Sequence, residues 1–370
     1  MDMPQPPQRT TQQAPRRPYP LLAVGAVALL AAIWTGLHRS GWEAVPVLDH
    51  HPLAHGPLMI GGFLGTLIAL EKAMALGRGW GFLGPALSGL GGLWLLVGSD
   101  PMPAAALFVI ASGLLCTVLI TLSKRHLDPA GIVMVTGAVA WLTGNLLWLM
   151  GRSIPLTFTW WMAFPTLVIV GERLELSRVV SPPRNALVAF FGSLTLYLLG
   201  LVTFLQIPSL GLRLQGSGLL LLAGWLLSYD LARRTVRLPG RHRYTALCLL
   251  TGFFWLALGA IMILAWGIQL DGLRYDALLH TLMLGFVFGM IFGHAPIIAP
   301  MLLGRNLRWG RQFYVPLILL QVSLLLRIVS DLGQWYDLRS VATLGNALAI
   351  VSFLMITARS AITAKSLPRS

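Results

Sequence analysis

The chain is a succession of apolar runs of about twenty residues, interrupted by short segments rich in arginine, glycine and proline. About twenty apolar residues in α-helix, at roughly 1.5 Å rise each, cross the hydrocarbon core of a bilayer. By that ruler the pattern predicts twelve crossing helices, over residues 20–38, 52–76, 80–98, 103–123, 129–150, 155–177, 185–206, 209–230, 244–267, 275–303, 312–332 and 340–362. Every connection is short, so the expected fold class is an all-α integral membrane protein whose single domain, residues 20–362, is the bundle itself. Residues 1–19 hold five prolines, four glutamines and three arginines, a composition that cannot bury a core and predicts a disordered tail. Residues 363–370 form a second, short tail. The first apolar run lacks a convincing small-residue cleavage site and is read as a retained helix.

Charge adds orientation to this pattern. With both termini placed inside, the twelve-span reading puts 21 of the 27 lysines and arginines on the inner side and 6 on the outer, namely Arg39, Arg152, Arg213, Arg274, Arg327 and Arg339. A wrong span count would scramble that asymmetry, and the positive-inside rule then makes both tails cytoplasmic and the location the cytoplasmic membrane. A composition of 56% hydrophobic and 11% charged residues excludes the water-soluble classes. The net charge of +14 is accordingly read as topology and contact with anionic lipid headgroups, not as affinity for nucleic acid. Cys116 and Cys248 lie in separate apolar runs and read as core or lipid-facing thiols.

Ionisable groups within a membrane are costly and become functional candidates by default. Of eight histidines, His38, His126 and His242 fall at helix ends or in loops. His50, His51 and His55 cluster at the outer start of the second helix, and His280 and His294 lie on the tenth. His55 and His280 share one depth near the outer side. Two neutral imidazoles at one depth on two helices suit the axial ligation of one haem iron, with the propionates toward the outer surface. His51, about one turn from His55, is an alternative ligand. Zinc would need further nitrogen, sulfur or carboxylate donors nearby, which the sequence does not place there. His294 lies fourteen residues beyond His280, about 21 Å along and about 40° around the helix, and is open to two readings: structural hydrogen bonding, or a ligand or proton relay at a second site with Met290 or Met74. Glu71, Lys72, Glu172, Arg173 and Glu175 gather at the inner ends of the second and sixth helices, as an ion-pair network or a proton-handling group. Arg327, Asp331 and Arg339 border the outer ends of helices eleven and twelve, with Arg152 ending helix five. Arg327 and Arg339 are candidate propionate donors, and Arg327 with Asp331 at i, i+4 reads equally as a surface pair. Trp42, Trp335 and Tyr336 read as interfacial anchors.

Local motifs add a resemblance. His55-Gly56-Pro57-Leu58-Met59, followed by Ile60-Gly61-Gly62-Phe63, resembles the second helix of haem-copper oxidase subunit I, where an HGxxM stretch supplies an axial histidine of the low-spin haem; by that likeness Met59 joins the cofactor-binding candidates. His280 through Met290 resembles that family's tenth helix after its second histidine. The departures are that Leu278 stands where the family carries the active-site haem histidine, that the sixth helix holds no histidine for copper, and that the family's paired arginines between helices eleven and twelve are missing. The resemblance therefore implies a retained low-spin haem b and a lost oxygen-reducing centre. The run Leu279-His280 to Met290 is also similar to the NnrS-like membrane proteins, a twelve-helix haem group linked to nitric oxide metabolism. The matched segments cover about a tenth of the chain.

The function expected is a bis-histidine haem b protein for electron transfer or a nitric oxide-related response, an oxidoreductase or a subunit of one if it is an enzyme, working alone or with redox subunits or a cytochrome on the outer side. Two alternatives stand beside it. One is a secondary transporter using the histidines and Glu71, with Pro165, Pro296 and Pro300 as helix-breaking material. The other is copper handling through His55 with Met59 and through Met290 with His294.

Overall fold

The computed structural model describes residues 18–42, 54–123 and 128–363, and among them there is no strand. Twelve helices are long and apolar enough to cross a membrane: α1 (Tyr19–Arg39), α2 (His55–Leu76), α3 (Gly79–Val97), α4 (Met102–Ser123), α5 (Pro129–Leu149), α6 (Ile154–Ser177), α7 (Arg184–Phe204), α8 (Pro208–Tyr229), α9 (Arg241–Trp266), α10 (Gly272–Leu303), α11 (Arg311–Gly333) and α12 (Tyr336–Ile362). The chain is a multi-pass membrane protein. All twelve expected spans appear, with ends displaced by a few residues, the usual latitude of a fraying terminus. A further short helix, Ala232–Thr235, sits between α8 and α9. Residues 1–17, most of the expected N-terminal tail, lie outside the described residues, as do His50, His51, His126 and residues 364–370. Tyr19, counted above in the tail, already belongs to α1.

Helix is the form that lets a lipid-buried backbone satisfy its own N–H and C=O groups. Local chemistry sets the ends. Asp128 caps α5 by accepting from the Ala130 N–H at 3.0 Å, with Pro129 in the first turn where a missing N–H costs nothing. Gly77 closes α2 in the left-handed region at φ 68°, which a Cβ would disfavour.

Helices pack mainly against their chain neighbours, in the pairs α2–α3, α3–α4, α4–α5, α5–α6, α7–α8, α8–α9, α9–α10, α10–α11 and α11–α12, while α1 lies on α2 and α3 and also meets α12. Three helices form the interior. The apolar stretches of α2, α6 and α10 are 67%, 72% and 67% buried, against 56% or less for every other span. Within this centre α10 touches both α2 and α6. Close approach there rests on small residues: a Cβ on Gly92 of α3 would stand 2.9 Å from the Gly62 Cα of α2, the small-against-small packing that brings membrane helices together where apolar burial alone does not.

Two of the three central helices leave α geometry at matching places. In α2 a π-helical segment, Leu58–Gly65, follows directly on His55–Pro57. In α10 another, Thr281–Phe288, follows directly on His280. At the start of the α10 segment the His280 Nδ1 and the Thr281 hydroxyl donate to the Asp276 and Ala277 carbonyls at 2.8 and 2.7 Å. Side-chain donors compete there for acceptors of the α ladder. Such π segments concentrate at functional sites. By contrast, Pro165, Pro296 and Pro300 lie inside helices that continue through them, so none of the three marks an unwound break.

Candidate cofactor site

His55 opens α2, and its ring lies against α1, where Nδ1 is 2.7 Å from the Ala32 carbonyl. A carbonyl oxygen can only accept, so Nδ1 carries the proton and Nε2 keeps its lone pair. Room for this ring comes from Gly36 one turn further along α1, since a Cβ there would stand 3.0 Å from His55 Cε1 and 3.1 Å from Nδ1. His280 has the same arrangement, with Nδ1 2.8 Å from the Asp276 carbonyl of its own helix. Both imidazoles are thereby fixed in the tautomer that presents Nε2, the usual preparation of a metal-binding histidine. Neither Nε2 has a hydrogen-bond partner among the described residues.

The two rings lie with centres 6.2 Å apart and planes inclined at 35°. A metal held by Nε2 at about 2 Å stands roughly 3.2 Å from the ring centre, so two imidazoles on opposite sides of one ion have centres roughly 6.4 Å apart. The observed separation fits that arrangement. Around it opens a cavity of about 820 Å³, lined mostly by apolar side chains such as Ile33, Leu95, Phe158, Phe288 and Ile350. That volume lies in the upper part of the roughly 300–1,000 Å³ range of cofactor and small-molecule sites. Met59, one turn after His55, and Met283, one turn after His280, line it as well.

The rim is cationic, with Arg39, Arg152, Arg327 and Arg339 all on the cavity wall. The sequence offered Arg327 and Asp331 as an i, i+4 surface pair; the structure gives both other partners and buries both. Arg327 makes a two-pronged bond to Asp276, Nε to Oδ2 at 2.9 Å and Nη2 to Oδ1 at 3.1 Å. Arg339 donates from Nε to Asp331 at 2.8 Å and lies 3.3 Å from Asp276 through Nη2. The two arginines of α11 and α12 thus meet on one carboxylate, which sits one turn before His280. Asp276 was missed in the sequence, although a carboxylate four residues before a candidate ligand on a helix is a readable signal. Arg39 and Arg152 are exposed and have no ion-pair partner among the described residues.

At the far end of the same helices the polar groups consume one another. Lys72 bridges Glu71 at 2.7 Å and Glu172 of α6 at 2.5 Å. Arg173 turns away from Glu172 and bonds Asp230, Nε to Oδ2 at 2.8 Å, with only 5% and 1% of the two side chains exposed. Arg178 pairs with Asp128, and Glu175 is exposed and takes no part. His294 joins this cluster: Nδ1 donates to the Met290 carbonyl at 2.8 Å, and Nε2 lies 3.4 Å from Arg173 Nη1. With a guanidinium at Nε2, His294 has no lone pair turned to a metal. Met290, considered as its partner, is buried with its methyl against Gly252 of α9. Asp230, just after α8, is the second carboxylate that span counting passed over.

A profile for a domain of unknown function (DUF8744) matches residues 17–362. The chain belongs to that family. No curated protein and no solved structure matches it. The matched region runs through all twelve spans and so includes both the histidine pair and the charged cluster of this DUF8744 member. Among the described residues no group of three or more His, Cys, Asp or Glu side chains is placed to hold a bare metal ion.

Proposed function

We propose that this protein is a b-type haem protein of the cytoplasmic membrane, with His55 and His280 as the two axial ligands of one low-spin iron on the outer side and both termini cytoplasmic. The observation that carries this reading is the pair of imidazoles at 6.2 Å between ring centres, each with Nδ1 committed to a carbonyl. Cavity size favours a macrocycle, because about 820 Å³ far exceeds what a bare ion needs. The burial of α2, α6 and α10, three of the helices that carry metal ligands in haem-copper oxidase subunit I, supports an oxidase-like bundle. Leu278 and the histidine-free α6 argue that the oxygen-reducing centre is not part of it.

Haem bound here supplies a reversible one-electron couple. With haem bound, His55 and His280 would both hold its iron through Nε2, which would leave no position for a diatomic gas and favours electron transfer over gas chemistry. Exchange with subunits or a cytochrome on the outer side follows from the depth of the pair, and a nitric oxide-related role enters through the NnrS-like motif alone. Apolar walls exclude water, and Arg39 and Arg152, which have no ion-pair partner among the described residues, add two cations at the rim for propionates, beside Arg327 and Arg339, whose Nε and Nη2 groups face Asp276 and Asp331. Copper is the second reading, because Met59 and Met283 share the cavity with the histidines and thioether with imidazole suits that metal.

The test is an optical spectrum of detergent-purified protein, air-oxidised and then dithionite-reduced, for wild type, His55→Ala and His280→Ala, with metal analysis of each. A sharp reduced α-band with one iron per chain, lost in both variants, is the expected result. Colourless wild type from haem-replete cells overturns the reading, and stoichiometric copper in its place establishes the second.

A further inference from the structure

His55 and His280 differ in what stands behind them. Behind His55 Nδ1 there is the Ala32 carbonyl at 2.7 Å. Behind His280 Nδ1 there are two acceptors, the Asp276 carbonyl at 2.8 Å and the Asp276 carboxylate, Oδ2, at 3.4 Å. A carboxylate hydrogen-bonded to a ligating histidine increases the electron donation of that imidazole to its metal. At 3.4 Å this one stops short of a good bond. Arg327 grips both its oxygens and Arg339 approaches Oδ1, while Asp331 anchors Arg339 from the other side. Two aspartates and two arginines form a neutral, largely buried chain that ends beside one ligand only.

We infer that Asp276 is a positioning residue for His280, and that Arg327 and Arg339 set the redox potential of the iron by holding the Asp276 carboxylate back from the His280 Nδ1–H. The inference rests on the haem reading. Nδ1 keeps its proton throughout, and only the strength of its hydrogen bond changes. Greater donation stabilises the ferric over the ferrous ion, which is one electron richer, so freeing the carboxylate lowers the potential. Arg327→Lys separates this from simple electrostatics, because it preserves the positive charge and removes the two-pronged grip.

The experiment is spectroelectrochemical titration of the purified full-length protein, as wild type, Arg327→Lys, Arg327→Gln, Asp276→Asn and the double variant Asp276→Asn/Arg327→Gln. Both Arg327 variants are expected to lower the midpoint potential and to alter the low-spin ferric electron paramagnetic resonance signal. Asp276→Asn is expected to raise the potential, and in its presence the effect of Arg327→Gln shrinks, a non-additivity that charge removal alone does not give. An unchanged potential in Arg327→Lys with haem retained, or additive shifts, overturns the inference and leaves the haem site standing. A wild type without haem overturns both. Should Asp276→Asn fail to fold with Arg327 left without a carboxylate partner, Arg327→Lys decides alone.

Discussion

Helices α2 and α10 carry polar groups at both ends, and the two ends differ in whether those groups satisfy one another. At one end the groups pair off in two sets, Glu71–Lys72–Glu172 and Asp230–Arg173–His294. At the other end the imidazoles of His55 and His280 are anchored through Nδ1 and spend nothing on each other, although their rings are 6.2 Å apart beside a large cavity. His294 and His280 sit on one helix and make the same Nδ1 bond to the carbonyl four residues back. What separates them is the other nitrogen, which faces Arg173 in His294 and has no partner among the described residues in His280. Residue type therefore says little about role in this bundle; the fate of Nε2 says most of it.

The sharpest way to break the comparison is at Lys72, whose ammonium is shared by two carboxylates inside the bundle. Lys72→Met leaves both without a counter-charge and is expected to destabilise the protein by about 3–5 kcal/mol, as loss of one partner of a buried pair does. Thermal unfolding in detergent reads it, and the surviving folded protein should keep its haem per chain. Next comes Gly36→Val. Extra carbons where a Cβ already meets the His55 ring at 3.0 Å displace the imidazole, so haem content should fall several-fold with little change in helicity by circular dichroism. His294→Ala is a milder change, with an expected cost of about 1–3 kcal/mol for the unmet Arg173 donor and no loss of haem. A haem-depleted His294→Ala would merge the two ends into one site. Smallest of all, Arg178→Ala removes an exposed arginine from its pair with Asp128 and should cost under about 1 kcal/mol by the same unfolding measurement.

The sequence pattern carried the spans because twenty apolar residues have few other ways to exist, and the ends of α4 and α6 fall where the runs stop. It also carried the shared depth of His55 and His280, since both lie near the same end of apolar helices. It carried less about partners. Arg327 reads equally as a propionate donor or as the partner of Asp331, because i, i+4 residues share a helix face, but α10 brings Asp276 against α11, and Arg327 makes its two-pronged bond to that carboxylate. Arg173 likewise finds Asp230, 57 positions along the chain. The π segments after His55 and His280 were not legible at all, because their sequences are ordinary apolar helix. Gly36 was silent for a related reason, as its role is to leave room for a ring from another helix.

The central claim is that two particular nitrogens meet one iron. Pulsed electron paramagnetic resonance of the oxidised protein, labelled with ¹⁵N-histidine, reads that directly. The expected result is a low-spin ferric signal coupled to two histidine nitrogens in wild type and in His294→Ala, with the two-nitrogen pattern gone in His55→Ala and in His280→Ala. A wild-type iron coupled to a single histidine, or a pattern that survives either of those two substitutions, would contradict it.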